Sequence, residues 1–311
     1  MRERRPLTNP GPRPVSTTEP ASPLPGWVDV NAYPFVPRSV MLPRGSAVSY
    51  LDEGEGEPLL FVHGTPSWSF EWRHVIRALG QNHRCVAPDL LGFGLSDRPR
   101  DFSYTPEAHA REIDAFVETI GLRDFTLVVH DFGGPIALPL ALERRSTVRR
   151  VVVLNSWMWS LGTDPAMARA ARLLGGRFGR LLYETVNLSP RVIMPAAYAD
   201  KKKLTRAIHE QYLAPFTDRW SRGNVLWTLA RSLLASSAHY EKLWAQRDRL
   251  KELPVLLIWG MRDPAFTTSS LARWREAVPH ARVVELPAGH WPQEEAPADT
   301  VAALRHFTEA E

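Results

Sequence analysis

Asp131 follows the apolar run at residues 125–129. The residues around it are typical of those around a catalytic nucleophile. Phe132 comes directly after Asp131, followed by Gly133 and Gly134, where a helical pattern begins. A strand that turns sharply into a helix exposes the side chain at the turn, and the backbone passes so closely there that small residues are needed. A carboxylate is ionised at neutral pH, so Asp131 can attack carbon without a base to activate it. The alternative interpretation is that Asp131 only caps the helix.

Two further segments favour a catalytic interpretation. Asp263 follows the apolar run 255–259, and His290 follows the run 283–286. The chain order is therefore nucleophile, acid and histidine, with each residue at the end of a predicted strand. We expect Asp263 to orient His290, which activates the water that hydrolyses an ester formed on Asp131.

A fourth segment places a tight loop after the apolar run 59–62. The loop reads His-Gly-Thr-Pro and precedes a helical pattern. In α/β-hydrolases, which these segments resemble, the loop at this position supplies a backbone N–H to the oxyanion hole, together with the N–H of the residue after the nucleophile. Those residues are Thr65 and Phe132. A plain Gly-Pro turn is the structural alternative.

The elements that must position these residues alternate between short apolar strands and helical periods. This alternation predicts βαβ units and a parallel sheet, hence the α/β class. The strand signal vanishes between residues 157 and about 244, which predicts a helical cap over the carboxyl edge of the sheet, where ligands bind. The predicted organisation is a disordered proline-rich arm at 1–26, a main domain at 27–156, a cap at 157–228 and the rest of the main domain at 229–311.

The composition excludes several classes of function. Lys and Arg total 38 against 34 Asp and Glu, so the net charge is +4, and with no concentrated basic face we expect no nucleic-acid partner. Cys85 is the single cysteine, which excludes an intramolecular disulfide and a multi-cysteine metal site. No stretch reaches the ~18 apolar residues of a membrane helix. We therefore expect a cytoplasmic protein with no metal, no cofactor and no membrane partner, and the composition favours no particular oligomeric state.

These segments together resemble the α/β-hydrolase superfamily, and within it the aspartate-nucleophile branch that contains the haloalkane dehalogenases. The resemblance rests on residues 59–74, 89–99, 128–142 and 286–297, and it covers nearly all of residues 30–308.

The resemblance implies a mostly parallel eight-stranded sheet with helices on both faces and an inserted helical cap. It also implies a hydrolase that needs no cofactor, takes a small hydrophobic substrate and water, and releases a halide. In one branch of these enzymes the acid follows the sixth strand. This chain has Asn155 there, so Asp263 is the expected acid.

The chain departs from the family pattern at the halide site. Haloalkane dehalogenases typically hold the halide with the indole of a Trp directly after the nucleophile and with an Asn in the first loop or a cap Trp. Here those positions are Phe132 and Thr65. The resemblance places Trp68, Trp157 and Phe266 in the substrate pocket. Three further tryptophans are candidates to replace the missing halide donors, with ordinary packing as the alternative for each: Trp159, Trp220 and Trp227.

Three alternatives stay open on the sequence. An epoxide hydrolase needs cap tyrosines, and the candidates are Tyr183, Tyr198, Tyr212 and Tyr240. A β-lactone decarboxylase or hydrolase uses the same Asp-His-Asp set. A degenerate hydrolase that only binds its ligand is the non-enzyme alternative.

Overall fold

The computed structural model describes residues 19–20, 23–143 and 147–309. Most of the predicted proline-rich arm therefore lies outside the described residues. Within it, Glu19–Pro20 pairs antiparallel with the edge strand, opposite Ser39 and Arg38.

A single mixed sheet forms the centre of the described chain. Its order is β1-β2-β3-β5-β4-β6-β7-β8-β9, so the predicted eight strands are present and the short Glu19–Pro20 segment adds to one edge. Strands β1, β2, β3 and β5 pair antiparallel, and every pair from β5 through β4 to β9 is parallel. The strands are β1 (Glu19–Pro20), β2 (Arg38–Met41), β3 (Ala47–Glu53), β4 (Glu57–Val62), β5 (His83–Pro88), β6 (Phe125–Asp131), β7 (Val148–Ser156), β8 (Val255–Gly260) and β9 (Arg282–Leu286).

Helices cover both faces of this sheet, as predicted. The α-helices of the described chain are α1 (Arg73–Leu79), α2 (Pro106–Thr119), α3 (Gly133–Glu143), α4 (Pro165–Gly175), α5 (Arg177–Val186), α6 (Met194–Ala197), α7 (Arg206–Leu213), α8 (Arg219–Ser221), α9 (Trp227–Ala235), α10 (Ser237–Ala245), α11 (Thr268–Ala277), α12 (Pro292–Glu295) and α13 (Pro297–Glu309). Successive residues of the strands point to opposite faces of the sheet and pack into two separate apolar cores. Helices α2, α3 and α11 contribute to one core, and helices α1 and α13 contribute to the other. Strands buried on both faces read as continuous apolar runs, which is why they were visible in the sequence.

The helical insertion between β7 and β8 holds α4 to α10. The boundary expected at residue 228 falls inside α9, and α9 packs against α4. The insertion therefore extends at least to Ala235. It lies over the carboxyl ends of the parallel strands and closes the site described next.

Two kinds of feature are absent from the described residues. No helix among them is long and apolar enough to cross a bilayer. Nor does any group of three or more His, Cys, Asp or Glu side chains there have the arrangement of a metal site.

Candidate active site

Asp131 occupies a strained turn between β6 and α3. Its φ is +49°, a left-handed conformation that is uncommon for a residue other than glycine. The turn is tight enough that a Cβ on Gly134 would lie 2.0 Å from Ser156 Oγ, and one on Gly133 would lie 2.2 Å from the carbonyl oxygen of Val62. Non-glycine backbone strain of this kind clusters at functional sites, and here it presents the carboxylate at the sheet edge.

The fold brings Asp131, His290 and Asp263 together from the ends of three strands, as the chain order predicted. His290 Nε2 lies 3.4 Å from Asp131 Oδ2, and His290 Nδ1 lies 2.7 Å from Asp263 Oδ2. The three side chains are at most 10% exposed. The imidazole thus bridges two carboxylates in a nearly water-free setting.

Asn155 holds Asp263 in place, a role that the sequence analysis did not foresee. Its Nδ2 donates to Asp263 Oδ2 at 2.8 Å, and its Oδ1 accepts from the N–H of Gly260 at 2.7 Å. The other oxygen of Asp263 accepts from the N–H of Ala265 at 2.7 Å. A carboxylate with this many donors is fixed in its ionised form.

The charges of the site reinforce one another. Burial works against the charged form of Asp263, but the adjacent His290 and the donated hydrogen bonds outweigh it and lower the pKa of the Asp263 carboxyl. Burial likewise works against the imidazolium, but Asp263 and Asp131 outweigh it and raise the pKa of His290 to about 10. In the free protein His290 is therefore protonated at neutral pH.

The first loop contributes a hydrogen bond to the carboxylate of Asp131. The backbone N–H of Thr65 donates to Asp131 Oδ1 at 2.9 Å. A Cβ on Gly64 would lie 2.3 Å from the same oxygen, so the loop approaches the carboxylate as closely as glycine permits. Thr65 and Phe132 both border the cavity next to Asp131.

A second buried histidine supports His290 from behind. His130 Nε2 donates to the carbonyl oxygen of His290 at 2.8 Å, and its Nδ1 lies 3.2 Å from both carboxylate oxygens of Glu71. Ser67 Oγ donates to Glu71. Since Glu71 and His130 are fully buried, they form a rigid polar support under the loop that carries His290. Glu71 lies on the first helical turn after the Thr65 loop, with no sequence signal that separates it from a surface carboxylate.

A cavity of about 410 Å³ opens onto Asp131 and His290 beneath the helical insertion. Its walls are mostly apolar side chains from both parts of the chain, which include Phe132, Met167, Leu174, Ile193, Leu233, Ala265 and Phe266. The size suits a small ligand, and the lining favours an uncharged, apolar one.

The structure separates the three predicted pocket residues. Phe266 borders the cavity. Trp157 lies in the layer behind the wall, stacked on Phe266 at 4.9 Å between ring centroids and edge-on to Phe132 at 4.8 Å. Trp68 lies in a different aromatic cluster, and its indole donates to the carbonyl oxygen of Gln211 at 3.0 Å. The pocket assignments of Trp157 and Trp68 are therefore wrong, because packing with other rings holds both side chains away from the cavity.

The indole that does border the cavity is Trp291, which sequence reasoning missed although it directly follows His290. Its N–H is buried without a hydrogen-bond partner in the described chain, and so is the hydroxyl of Thr65. Of the four candidate tyrosines, Tyr183 borders the cavity. Tyr240 instead donates to the carbonyl oxygen of Ser232, and Tyr212 donates to Glu294. Tyr198 stacks on Trp291 at 5.3 Å between ring centroids and does not border the cavity, so one of the four candidates does.

Comparison with known proteins agrees with this geometry. The family model of the alpha/beta hydrolase fold matches residues 57–297. Haloalkane dehalogenase 2 of Mycobacterium tuberculosis is 37% identical over 89% of this chain and 96% of its own length. The cis-3-alkyl-4-alkyloxetan-2-one decarboxylase of Shewanella oneidensis is 32% identical over 86% of this chain and 87% of its own length.

A solved structure shows the same likeness in three dimensions. The crystal structure of haloalkane dehalogenase DatA from Agrobacterium tumefaciens C58 aligns with a TM-score of 0.77 and 26% identity, and it covers 88% of this chain and 97% of DatA. The family model, the relatives and the strand–turn–helix geometry at Asp131 all agree, and the chain belongs to the α/β hydrolase fold family.

Proposed function

We propose that this protein is a haloalkane dehalogenase-like hydrolase in which Asp131 is the nucleophile, His290 the base and Asp263 the acid that orients it. The observation that carries the proposal is the environment of Asp131: Oδ1 is held by the N–H of Thr65 at 2.9 Å, while Oδ2 faces His290 Nε2 at 3.4 Å. A carboxylate so fixed beside an apolar cavity is placed to attack an alkyl carbon.

The reaction has two steps. Asp131 displaces a halide from an sp³ carbon and forms an alkyl ester with its own carboxyl group. Water, deprotonated by His290, then adds to the carbonyl carbon of that ester and releases an alcohol. The backbone N–H groups of Thr65 and Phe132 stabilise the oxyanion of this second step. The products are the alcohol, a halide and a proton, and Asp131 is regenerated without a cofactor.

The side chains available to receive the leaving halide differ from those implied by the family resemblance. Phe132 has no N–H on its ring. Thr65 and Trp291 border the cavity, but the Thr65 hydroxyl and the Trp291 indole N–H are themselves buried, without a partner in the described chain. A site without the usual pair of side-chain donors favours good leaving groups, bromide and iodide over chloride. The cytoplasmic location expected from the sequence stays a prediction.

The decisive experiment is to trap the ester. The variant His290→Phe is expected to accumulate an adduct on Asp131 when it is mixed with a 1-bromoalkane, measured by intact-protein and peptide mass spectrometry. The matched control His306→Phe alters an exposed histidine of α13 and should leave no adduct, because turnover continues. A protein that only binds its ligand gives no adduct with any substrate, and that result would overturn the proposal.

A second candidate, β-lactone decarboxylation, is favoured by the relative from Shewanella oneidensis. Here Asp131 attacks the ring carbon that bears the lactone oxygen, which opens the ring to a carboxylate. Loss of carbon dioxide then forms the alkene and expels the Asp131 carboxylate. No water is consumed.

Isotope labelling separates the two candidates. In water enriched in oxygen-18, a single hydrolytic turnover places the label in the Asp131 carboxylate, because water adds to the ester carbonyl. Decarboxylation leaves Asp131 unlabelled. Peptide mass spectrometry after one turnover with a bromoalkane and with a β-lactone reads out each route directly.

A further inference from the structure

The helix α5 in the insertion turns its apolar side towards solvent. Phe178, Leu181 and Val186 lie on one side of it and are between 43% and 62% exposed. Its charged side is occupied instead, because Glu184 accepts hydrogen bonds from Arg180 at 2.7 Å and Arg219 at 2.8 Å. A surface helix normally buries its apolar stripe, so this orientation needs an explanation.

Two neighbouring elements extend the apolar surface. Leu173 at the end of α4 is 62% exposed and Val192 is 49% exposed. Helices α4 and α5 are packed so tightly that a Cβ on Gly179 would lie 2.1 Å from the carbonyl oxygen of Leu174. We call the five residues the cap apolar face: Leu173, Phe178, Leu181, Val186 and Val192. Exposed apolar clusters of this kind mark interaction sites.

The cap apolar face lies beside the mouth of the substrate cavity. Val192 belongs both to the face and to the cavity wall, and Leu174, the neighbour of Leu173, also borders the cavity. Ala170 and Ala196, which are exposed, complete this part of the wall. Whatever covers the face therefore also covers the entrance through which an apolar substrate reaches Asp131.

Exposed cations lie on the same segments as the cap apolar face. Arg169, Arg172, Arg177 and Arg191 are exposed on the same segments, and the ion pairs of the described chain do not include them. The nearby carboxylates are already engaged: Glu184 by two arginines, and Asp164 by the backbone N–H groups of α4. The surface thus combines exposed apolar side chains with an excess of positive charge.

We propose that the cap apolar face docks on an anionic lipid surface, with the cavity mouth turned towards the bilayer. Apolar side chains that enter the interface and arginines that meet anionic headgroups are the two contributions that hold a peripheral helix on a membrane. A second copy of this chain is a less favourable occupant of the face, because its arginines would repel those of the first copy. The segment 1–26 is a less favourable occupant for the same reason, since it carries four arginines and only two glutamates.

This docking involves the membrane surface and needs no spanning helix. It departs from the sequence expectation of no membrane partner, because only the folded insertion shows that these apolar residues and arginines are exposed. A docked cavity would receive apolar substrates directly from the lipid phase.

Vesicle sedimentation without substrate tests the proposal independently of any catalytic activity. The full chain is expected to sediment with phosphatidylglycerol vesicles and to stay in solution with phosphatidylcholine vesicles. Because headgroup attraction is screened, about 0.5 M salt should weaken the binding. Failure to sediment with phosphatidylglycerol would overturn the proposal.

Two pairs of variants locate the surface. Phe178→Glu with Leu181→Glu is expected to weaken sedimentation by roughly tenfold or more, and Arg169→Glu with Arg177→Glu by a similar factor. The matched control, Val30→Glu with Val36→Glu, alters exposed apolar residues outside the insertion and should sediment as the unmodified chain does. Circular dichroism verifies that each variant is folded. Unchanged sedimentation of both insertion variants would refute lipid docking. A dimer seen by light scattering that becomes a monomer in the Phe178→Glu, Leu181→Glu variant would refute it as well.

Discussion

The side-chain amide of Asn155 donates to Asp263 Oδ2 at 2.8 Å, the same oxygen that faces His290 Nδ1 at 2.7 Å. In the branch of haloalkane dehalogenases that carries its acid after the sixth strand, that acid occupies the position of Asn155. In this chain an amide at that position supports an acid that comes from another strand. The two positions are thus parts of one hydrogen-bonded unit.

The variant Asn155→Ala is expected to lower kcat by about tenfold, by analogy with the loss of a hydrogen-bond partner that orients a metal ligand, because Asn155 orients Asp263 in the same way. Asp263 would stay in place through Ala265 but lose one donor. Steady-state kinetics measure the effect. Asn224→Ala removes a comparable amide that donates to the carbonyl oxygen of Trp220 in the insertion, and an equal loss of kcat there would refute a specific role for Asn155.

The pKa of His290 should depend on Asp131. Two carboxylates hold it at about 10, so Asp131→Asn removes one of them and is expected to lower it, as measured by NMR of labelled histidine. In the proposed mechanism, alkylation of Asp131 would neutralise the same carboxylate and so convert His290 into a base at the step that hydrolyses the ester. Asp164→Asn removes a carboxylate at the start of α4 and serves as the control. A His290 pKa that is insensitive to Asp131→Asn would contradict the coupling.

The same coupling makes stability depend on pH. Because the folded-state pKa of His290 is raised, protonated His290 stabilises the folded protein. This contribution to the free energy of unfolding is fully present below the unfolded-state pKa of about 6.5 and is lost as the pH rises through about 10. The difference in unfolding free energy between the unmodified protein and His290→Phe should therefore shrink from pH 6 to pH 10. Urea unfolding at each pH measures it, and a constant difference would argue against a protonated His290.

Phe132→Trp should restore a halide donor beside Asp131. The new indole N–H is expected to raise the rate of bromoalkane turnover and to make bound iodide quench tryptophan fluorescence. The extra ring volume meets Trp157, which is edge-on to Phe132 at 4.8 Å, so a loss of about 1–3 kcal/mol in stability accompanies the gain. Phe102→Trp, away from the cavity, controls for the added fluorophore. If turnover of β-lactones rises while that of bromoalkanes does not, decarboxylation is favoured.

The Glu71–His130 pair should be a structural requirement. Glu71→Leu leaves His130 Nδ1 and the Ser67 hydroxyl without their partner, and breaking a buried pair in this way costs about 3 kcal/mol. Urea unfolding is the measurement. Glu285→Gln breaks the exposed pair with Arg275 and should change little. Similar effects of the two variants would show that burial adds nothing to the Glu71 interaction.

The sequence by itself predicted which reactive residues lie at the sheet edge. A strand covered on both faces is a continuous apolar run, and the residue that follows it in a parallel sheet must come to the same edge as its counterparts. Asp131 and Asp263 each follow such a run, whereas His290 follows the half-exposed edge strand β9. The meeting of the three residues is confirmed. Their catalytic roles stay a prediction that the trapping experiment tests.

Only the tertiary structure decided which side chains form the walls and supports of the site. Trp68, Trp157 and Trp291 are the same residue type, but just the last borders the cavity, because ring packing between distant segments directs the other two elsewhere. Glu71 and Asn155 have ordinary sequence contexts, and their partners lie 59 and 108 positions away. Periodicity reports which face of an element is apolar, whereas the contact between two elements depends on how they pack.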